Sequence, residues 1–189
     1  MRYLGSLGGP NSAGGPVNDS GEVAVVSEIA KLDPLAENFC LFNTNHLCRG
    51  AIWKDRVLKA LSTLGGPNAQ AYDLNDQGQI VGFSETDTKE KKGGCLSPSQ
   101  RYDFKGVVWQ SDGEIQKLEP LPGDTVSFAF GINNKGQAVG ASGLCSDTSV
   151  PPAPNAPHAV LWDADGTPHD LGSFGGTVFN TANWSDPQY

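Results

Sequence analysis

Four cysteines are the residues with the sharpest chemical options in this 189-residue chain. Cys40 and Cys48 stand eight positions apart, and Cys95 and Cys145 follow singly. All four fall in turn-rich stretches, where an even number suits disulfides formed in an oxidising compartment better than buried structural thiols. Three connectivities are open. The favoured set joins Cys40 to Cys48, stapling one loop, and Cys95 to Cys145, tying neighbouring segments. A metal reading competes, because Cys40, His46 and Cys48 could offer two thiolates and an imidazole to zinc. Neither a CxxC pair nor a paired-histidine spacing accompanies them, so disulfides are the expectation.

The remaining candidates are weaker. Asp163-Ala164-Asp165-Gly166 has the alternating carboxylates of a calcium loop but lacks its later ligands and closing Glu. Asn18-Asp19, Asn75-Asp76 and Asn133-Asn134 sit where turns favour Asn and Asp for backbone reasons alone. Calcium is therefore the one cofactor held open, and otherwise none is expected. No Gly-x-Ser-x-Gly elbow, phosphate loop or metalloprotease helix occurs. His46, His158 and His169 form no visible dyad with a carboxylate in the sequence. Carboxylates are plentiful enough for glycoside hydrolysis, but such a pair is recognised only by its separation in space.

Composition limits what can position these groups. Gly 24 and Pro 13 make nearly one residue in five, against roughly 12% in average usage. So many helix breakers exclude a helical bundle. With 38% hydrophobic and 18% charged residues, the chain is too apolar for a disordered tail. A net charge of -8 repels phosphate and anionic lipid, so nucleic acid is not an expected partner. No apolar run approaches the roughly 20 residues of a membrane span, so no membrane insertion is expected. No signal-peptide pattern opens the sequence, which fits a cytosolic protein or an internal piece of a longer one. The repeats below favour the second.

Leu4-Gly5-Ser6-Leu7-Gly8-Gly9 returns at Leu61, Leu118 and Leu171, at steps of 57, 57 and 53 residues. In the same phase come Val17-Asn18-Asp19-Ser20-Gly21, Leu74-Asn75-Asp76-Gln77-Gly78 and Ile132-Asn133-Asn134-Lys135-Gly136. A third motif ends in Trp53, Trp109 and Trp162. Repeat units therefore run over about 4–60, 61–117 and 118–170, with a partial unit at 171–189, as one repeat domain.

Each unit reads as two hairpins. In the second, β-rich runs at 69–75 and 79–84 flank Asn75-Asp76-Gln77-Gly78, and runs at 105–110 and 114–118 flank Ser111-Asp112-Gly113. A lone four-stranded sheet exposes two apolar faces, so neighbours must stack, and closure of the stack makes a β-propeller. The expected fold is all-β: a partial propeller of about three four-stranded antiparallel blades plus the start of a fourth, part of a larger ring. Further blades from a parent chain, or a second copy, would close it. The recurrent Trp53, Trp109 and Trp162 suit core anchors between blades, and Trp184 is expected to pack likewise. The segments from Glu28 to Cys48, Glu85 to Phe104 and Gly143 to Pro157 carry the length variation and should share one rim, a candidate binding face. The Pro-rich stretch at 151–157 reads as a stiff spacer.

The order Leu-Gly-x-Leu-Gly-Gly, Asn-x-x-Gly-Gln-x-Val-Gly-x-Ser, His-Ala-x-x-Trp resembles the HAF family of extracellular repeats. Its namesake triplet falls at His158-Ala159-Val160, with Val160 in place of Phe; Arg49-Gly50-Ala51 and Lys105-Gly106-Val107 depart further. The resemblance implies a secreted or surface-attached bacterial protein and no assigned activity. The expected function is a non-catalytic extracellular scaffold that binds a protein or glycan through its long loops. The alternative is part of a propeller hydrolase or lyase acting on glycans, with its site completed outside this chain.

Overall fold

A computed structural model of the chain describes residues 4–89, 99–145, 158–173 and 175. They form twelve strands in three antiparallel four-stranded sheets, each in chain order. The first holds β1 to β4 (Gly8–Val17, Val23–Leu32, His46–Lys54, Val57–Ala60). The second holds β5 to β8 (Gly65–Leu74, Ile80–Lys89, Tyr102–Trp109, Ile115–Leu118). The third holds β9 to β12 (Val126–Ile132, Ala138–Gly143, His158–Trp162, Pro168–Asp170). Sheet boundaries follow the 57-residue repeat, and no described residue lies in an α-helix. The long strands outrun the expected segments: β2 runs to Leu32 and β3 begins at His46, so the first loop is 33–45, and β6 and β7 reach Lys89 and Tyr102. The Pro-rich stretch, Cys95 and Trp184 lie outside the described residues.

The turns show why Asn-x-x-Gly recurs. Asn75 N–H donates to the Gln79 carbonyl and Gly78 N–H to the Asn75 carbonyl, closing the hairpin, while Gly78 takes φ 74°. The Asn75 side chain then accepts from the N–H groups of Gln77 (3.1 Å) and Gln79 (3.0 Å). Asn18 and Asn133 repeat both contacts. A short amide thus satisfies two turn donors that no strand reaches.

The same side chains link successive units. Asn18 Nδ2 donates to the Asn75 carbonyl and Asn75 Nδ2 to the Asn133 carbonyl, each at 3.0 Å. Asp19 N–H donates to Asp76 Oδ1, and Asp76 N–H to Asn134 Oδ1. These four bonds run in one direction, with donors on the earlier unit and acceptors on the later, and Asn134 Nδ2 returns one bond to Asp76 Oδ2 at 2.6 Å.

Apolar faces meet beneath it. Ala24 and Ile52 of the first sheet pack on Ala71, Ile80 and Trp109 of the second. Val81, Val108 and Leu118 of the second pack on Ile132, Val160 and Trp162 of the third. Trp109 and Trp162 are buried, and their indole N–H groups donate to the Ser62 and Glu119 carbonyls. Truncating such a side chain costs about 3–5 kcal/mol. Trp53, in the first sheet, is only partly covered. Backbones approach closely where Gly50 faces β5: a Cβ there would sit 3.1 Å from Ala71 N and 3.2 Å from Ala71 Cβ. Gly106 faces Ala129 in the same way.

Candidate functional site

At the end opposite the Asn turns, the long loops and strand ends converge. Phe39 and Cys40 of the first loop, Phe104 of the second unit and Cys145 of the third share one apolar cluster with Phe83, Phe128 and Val126. Phe104 and Phe128 meet at 4.8 Å between ring centroids, and Phe39 lies 5.4 Å from Phe83. Most of these rings are interior; Tyr72 is the more exposed member, edge-on to Phe130 at 5.2 Å. The aromatic rings at this end therefore mostly pack on one another.

Cys40 and Cys48 form a disulfide. This removes the zinc alternative, since neither sulfur remains a thiolate ligand. Cys48 is on β3 and fully buried, not in a loop as its turn-rich surroundings suggested. Cys145 is also disulfide-bonded; the expected pairing with Cys95 lies outside the described residues.

The stapled loop is conformationally unusual. Ala36, Leu41, Asn43 and Asn45 all have positive φ, between 53° and 62°. Asn tolerates this region, whereas Leu41 holds it at a cost of order 1 kcal/mol. Leu41 is nonetheless 69% exposed, next to the disulfide. The loop is held in place by polar contacts: Asn38 bonds Asn43 twice at 2.8 Å, and Gln70 Nε2 reaches the Phe39 carbonyl. Leu41 is thus an exposed apolar side chain on a fixed mount.

Beneath the loop lies a buried acidic group. Asn68 Oδ1 accepts from Cys48 N–H, while its Nδ2 donates to Asp33 (3.0 Å) and Glu37 (3.2 Å). Arg101 N–H donates to Glu37 Oε1 at 2.6 Å, linking the strand-end segment of the second unit to the first loop. Glu85, fully buried beside Glu37 and Asn68, has neither oxygen in hydrogen-bonding geometry. Burial, reinforced by the Glu37 charge, pushes the Glu85 carboxyl up to about 10, so it is neutral at pH 7. Burial, with the nearby Asp33 charge adding to it, raises Glu37 as well. Glu28, its counterpart one unit earlier, is instead partnered by Asn11 and Thr44. Asn11 and Asn68 both follow Gly-Gly-Pro, and Glu28 and Glu85 both follow a motif Ser. That phase relation was the signal by which this pair could have been found in the sequence.

Two histidines do meet carboxylates, correcting the sequence expectation. His158 Nδ1 lies 2.8 Å from Asp124 Oδ2, and His169 Nε2 lies 2.6 Å from Asp163 Oδ2. Ser142 donates to the same Asp124 oxygen at 2.6 Å. The order is histidine–aspartate–serine, with the aspartate between the other two, so the imidazole does not face the hydroxyl. Ser142 is fully buried and holds Leu121 N–H, as Ser27 and Ser84 hold Leu7 and Leu64. It is a structural pin. Asp163 and Asp165, the calcium candidates, are occupied by His169, Gln137 and the Thr167 N–H. Among the described residues no group of three or more His, Cys, Asp or Glu side chains is placed to hold a metal ion, and no helix is long and apolar enough to cross a membrane.

On the turn side, a cleft of about 470 Å³ lies between the first two units, lined by Lys54, Lys59, Glu22, Asp55 and Asp76 among others. Its charges are mixed, and Lys54 is neutralised by Glu22 at 2.5 Å. Compared with known proteins, the chain matches no family model, no curated protein and no solved structure.

Proposed function

We propose that the chain is part of an extracellular β-propeller of the HAF repeat type, and that it binds a protein or glycan through its loop-bearing end without catalysis. Three repeated sheets, packed in chain order through one recurring interface, support the propeller reading. The Cys40–Cys48 disulfide is compatible with an oxidising, extracellular setting. The observation that carries the binding role is Leu41: a strained, exposed apolar side chain on a disulfide-stapled, hydrogen-bonded loop has no packing purpose. Glycan-array and surface-protein binding of the purified chain tests it. Leu41→Ser should weaken binding at least about tenfold, the ~1.4 kcal/mol that one buried aliphatic contact supplies. Unaltered binding by Leu41→Ser, or by the reduced protein, would refute it.

The second reading is a glycan-active hydrolase or lyase. The raised Glu37 and Glu85 carboxyls favour it, because acid catalysts need such shifts. Against it, both are completely covered and Glu37 is held by the Arg101 N–H and Asn68 amide. Polysaccharide cleavage lost in Glu37→Gln and Glu85→Gln would establish this reading over the first.

A further inference from the structure

Each internal interface joins a trailing face of aliphatic residues to a leading face with a small–small–aliphatic pattern. The trailing residues are Ala24, Ile52 and Leu61, then Val81, Val108 and Leu118. The leading residues are Ala69, Ala71 and Leu74, then Ser127, Ala129 and Ile132. Both patterns occur once more at the two ends of the stack. Val139, Leu161 and Leu171 form a third trailing set, with Leu171 53% exposed. Ser12, Gly14 and Val17 form a third leading set, with Val17 64% exposed, Ser12 donating to the Gly5 carbonyl and Leu4 lying against Gly14.

The polar ladder is open at the same two ends with opposite sense. Asn134 N–H and the second Nδ2 hydrogen of Asn133 are the donors that Asp76 and Asn75 use to reach the next unit. Asn18 O and Asp19 Oδ1 are the acceptors that Asn75 and Asp76 offer to the unit before. Steric detail matches as well. The internal contacts place Gly50 against Ala71 and Gly106 against Ala129. At the ends the methyl changes sides: Ala159 stands at the Gly50 phase and Gly14 at the Ala71 phase. That exchange removes the methyl–methyl contact and leaves a backbone approach needing a few tenths of an ångström.

We propose that the trailing face of the third sheet docks on the leading face of the first sheet of a second copy of this chain, head to tail. Asn133 and Asn134 would extend the ladder to Asn18 and Asp19 of the second copy, and Ala159 would face Gly14 once the Leu4 side chain, which lies over Gly14 at the repeat phase of Leu171, gives up its place to Leu171. Such a heterologous contact propagates until rotation closes it into a ring. The proposal rests on the propeller reading for its premise that stacking continues, and it leaves the loop end free.

Sedimentation velocity at micromolar concentrations tests it with two single-face variants. The unaltered chain should sediment at twice the monomer mass or more. Leu161→Glu and Val17→Glu should each be monomeric, because each blocks one face of a two-faced contact. An equimolar mixture of the two retains one good trailing face and one good leading face, and should double in mass. Leu171→Glu replaces Leu161→Glu should the latter lose its β-sheet circular dichroism. A monomeric parent chain, variants that still self-associate, or a mixture that stays monomeric would each overturn the proposal. The monomeric result is also the one expected if a further repeat of the same polypeptide covers the face. None of these outcomes bears on the Leu41 binding test, so the two readings fail separately.

Discussion

Glu85→Gln is the substitution whose effect the structure determines most directly. The carboxyl is fully buried, and burial pushes it up to about 10 from an ordinary 4.5. Above about pH 4.5 the unfolded chain releases this proton while the folded protein retains it. The folded state therefore carries a penalty that is absent below pH 4.5 and grows as pH rises toward about 10. This is the reverse of a salt-bridged carboxylate, which stabilises at neutral pH. Each pH unit is worth about 1.36 kcal/mol, so at pH 7.5 the ceiling is three such units, about 4 kcal/mol. Gln is isosteric with the protonated acid and takes up no proton. In a chain of this size, where 1 kcal/mol moves Tm by roughly 2–4 °C, the ceiling corresponds to roughly 8–16 °C. Thermal unfolding from pH 4 to 9 is the assay. Glu85→Gln should match the parent at pH 4 and exceed it increasingly above pH 6. A variant with the parent's pH slope, or one destabilised at pH 7.5, would show that Glu85 is charged and partnered, and would refute the argument.

Two further substitutions separate roles that the fold combines. Asn75→Asp keeps the acceptor for the Gln77 and Gln79 N–H groups but removes the donor to Gln79 Oε1 and the Asn133 carbonyl. It should cost about 1 kcal/mol in urea unfolding, the low end of the penalty for acceptors left unpaired because these are half-buried, with little loss if the ladder contributes nothing. Replacing both Cys40 and Cys48 by Ser opens an eight-residue closure. The chain-entropy relation predicts a loss of about 2.5 kcal/mol, read as a lower urea midpoint, and an unchanged midpoint would mean that the loop is held by its polar contacts alone.

The sheet count, the strand order and the Asn turns were legible because each depends on residues close in sequence and recurs with a fixed period. Asn-x-x-Gly needs only its own four residues to close a hairpin, so three occurrences announce three hairpins. The tryptophan phase likewise pointed to packing, and Trp109 and Trp162 are buried. What escaped was contact between units. Nothing in the stretch around Glu37 indicates that it will lie against Glu85, 48 residues later, or that Arg101 N–H will cap it. His158 offered no partner by position because Asp124 lies 34 residues upstream, on the segment before β9. Cys48 looked like a loop residue because its surroundings are turn-rich; β3 begins at His46 because its register with β2 resumes at Leu32, past an irregularity.

The two ends of each unit therefore answer to different constraints. At the Asn turns every unit must match its neighbours on both sides, since one amide serves its own hairpin and the next unit's carbonyl; a change there costs two contacts at once. At the loop end the third strand of each unit reaches its neighbours through side chains that differ from unit to unit. Arg49 donates to the Pro67 carbonyl, Lys105 to the Thr125 carbonyl, and His158 turns to Asp124. The same repeat phase thus accepts three different side chains: the first two reach carbonyls at equivalent positions of the next unit, and the third has a different partner. Sequence change at that end leaves the ladder and the apolar faces intact, so it is there that a binding surface can diverge without loss of the stack. Leu41, strained and exposed on its disulfide-stapled loop, is the local instance of that freedom.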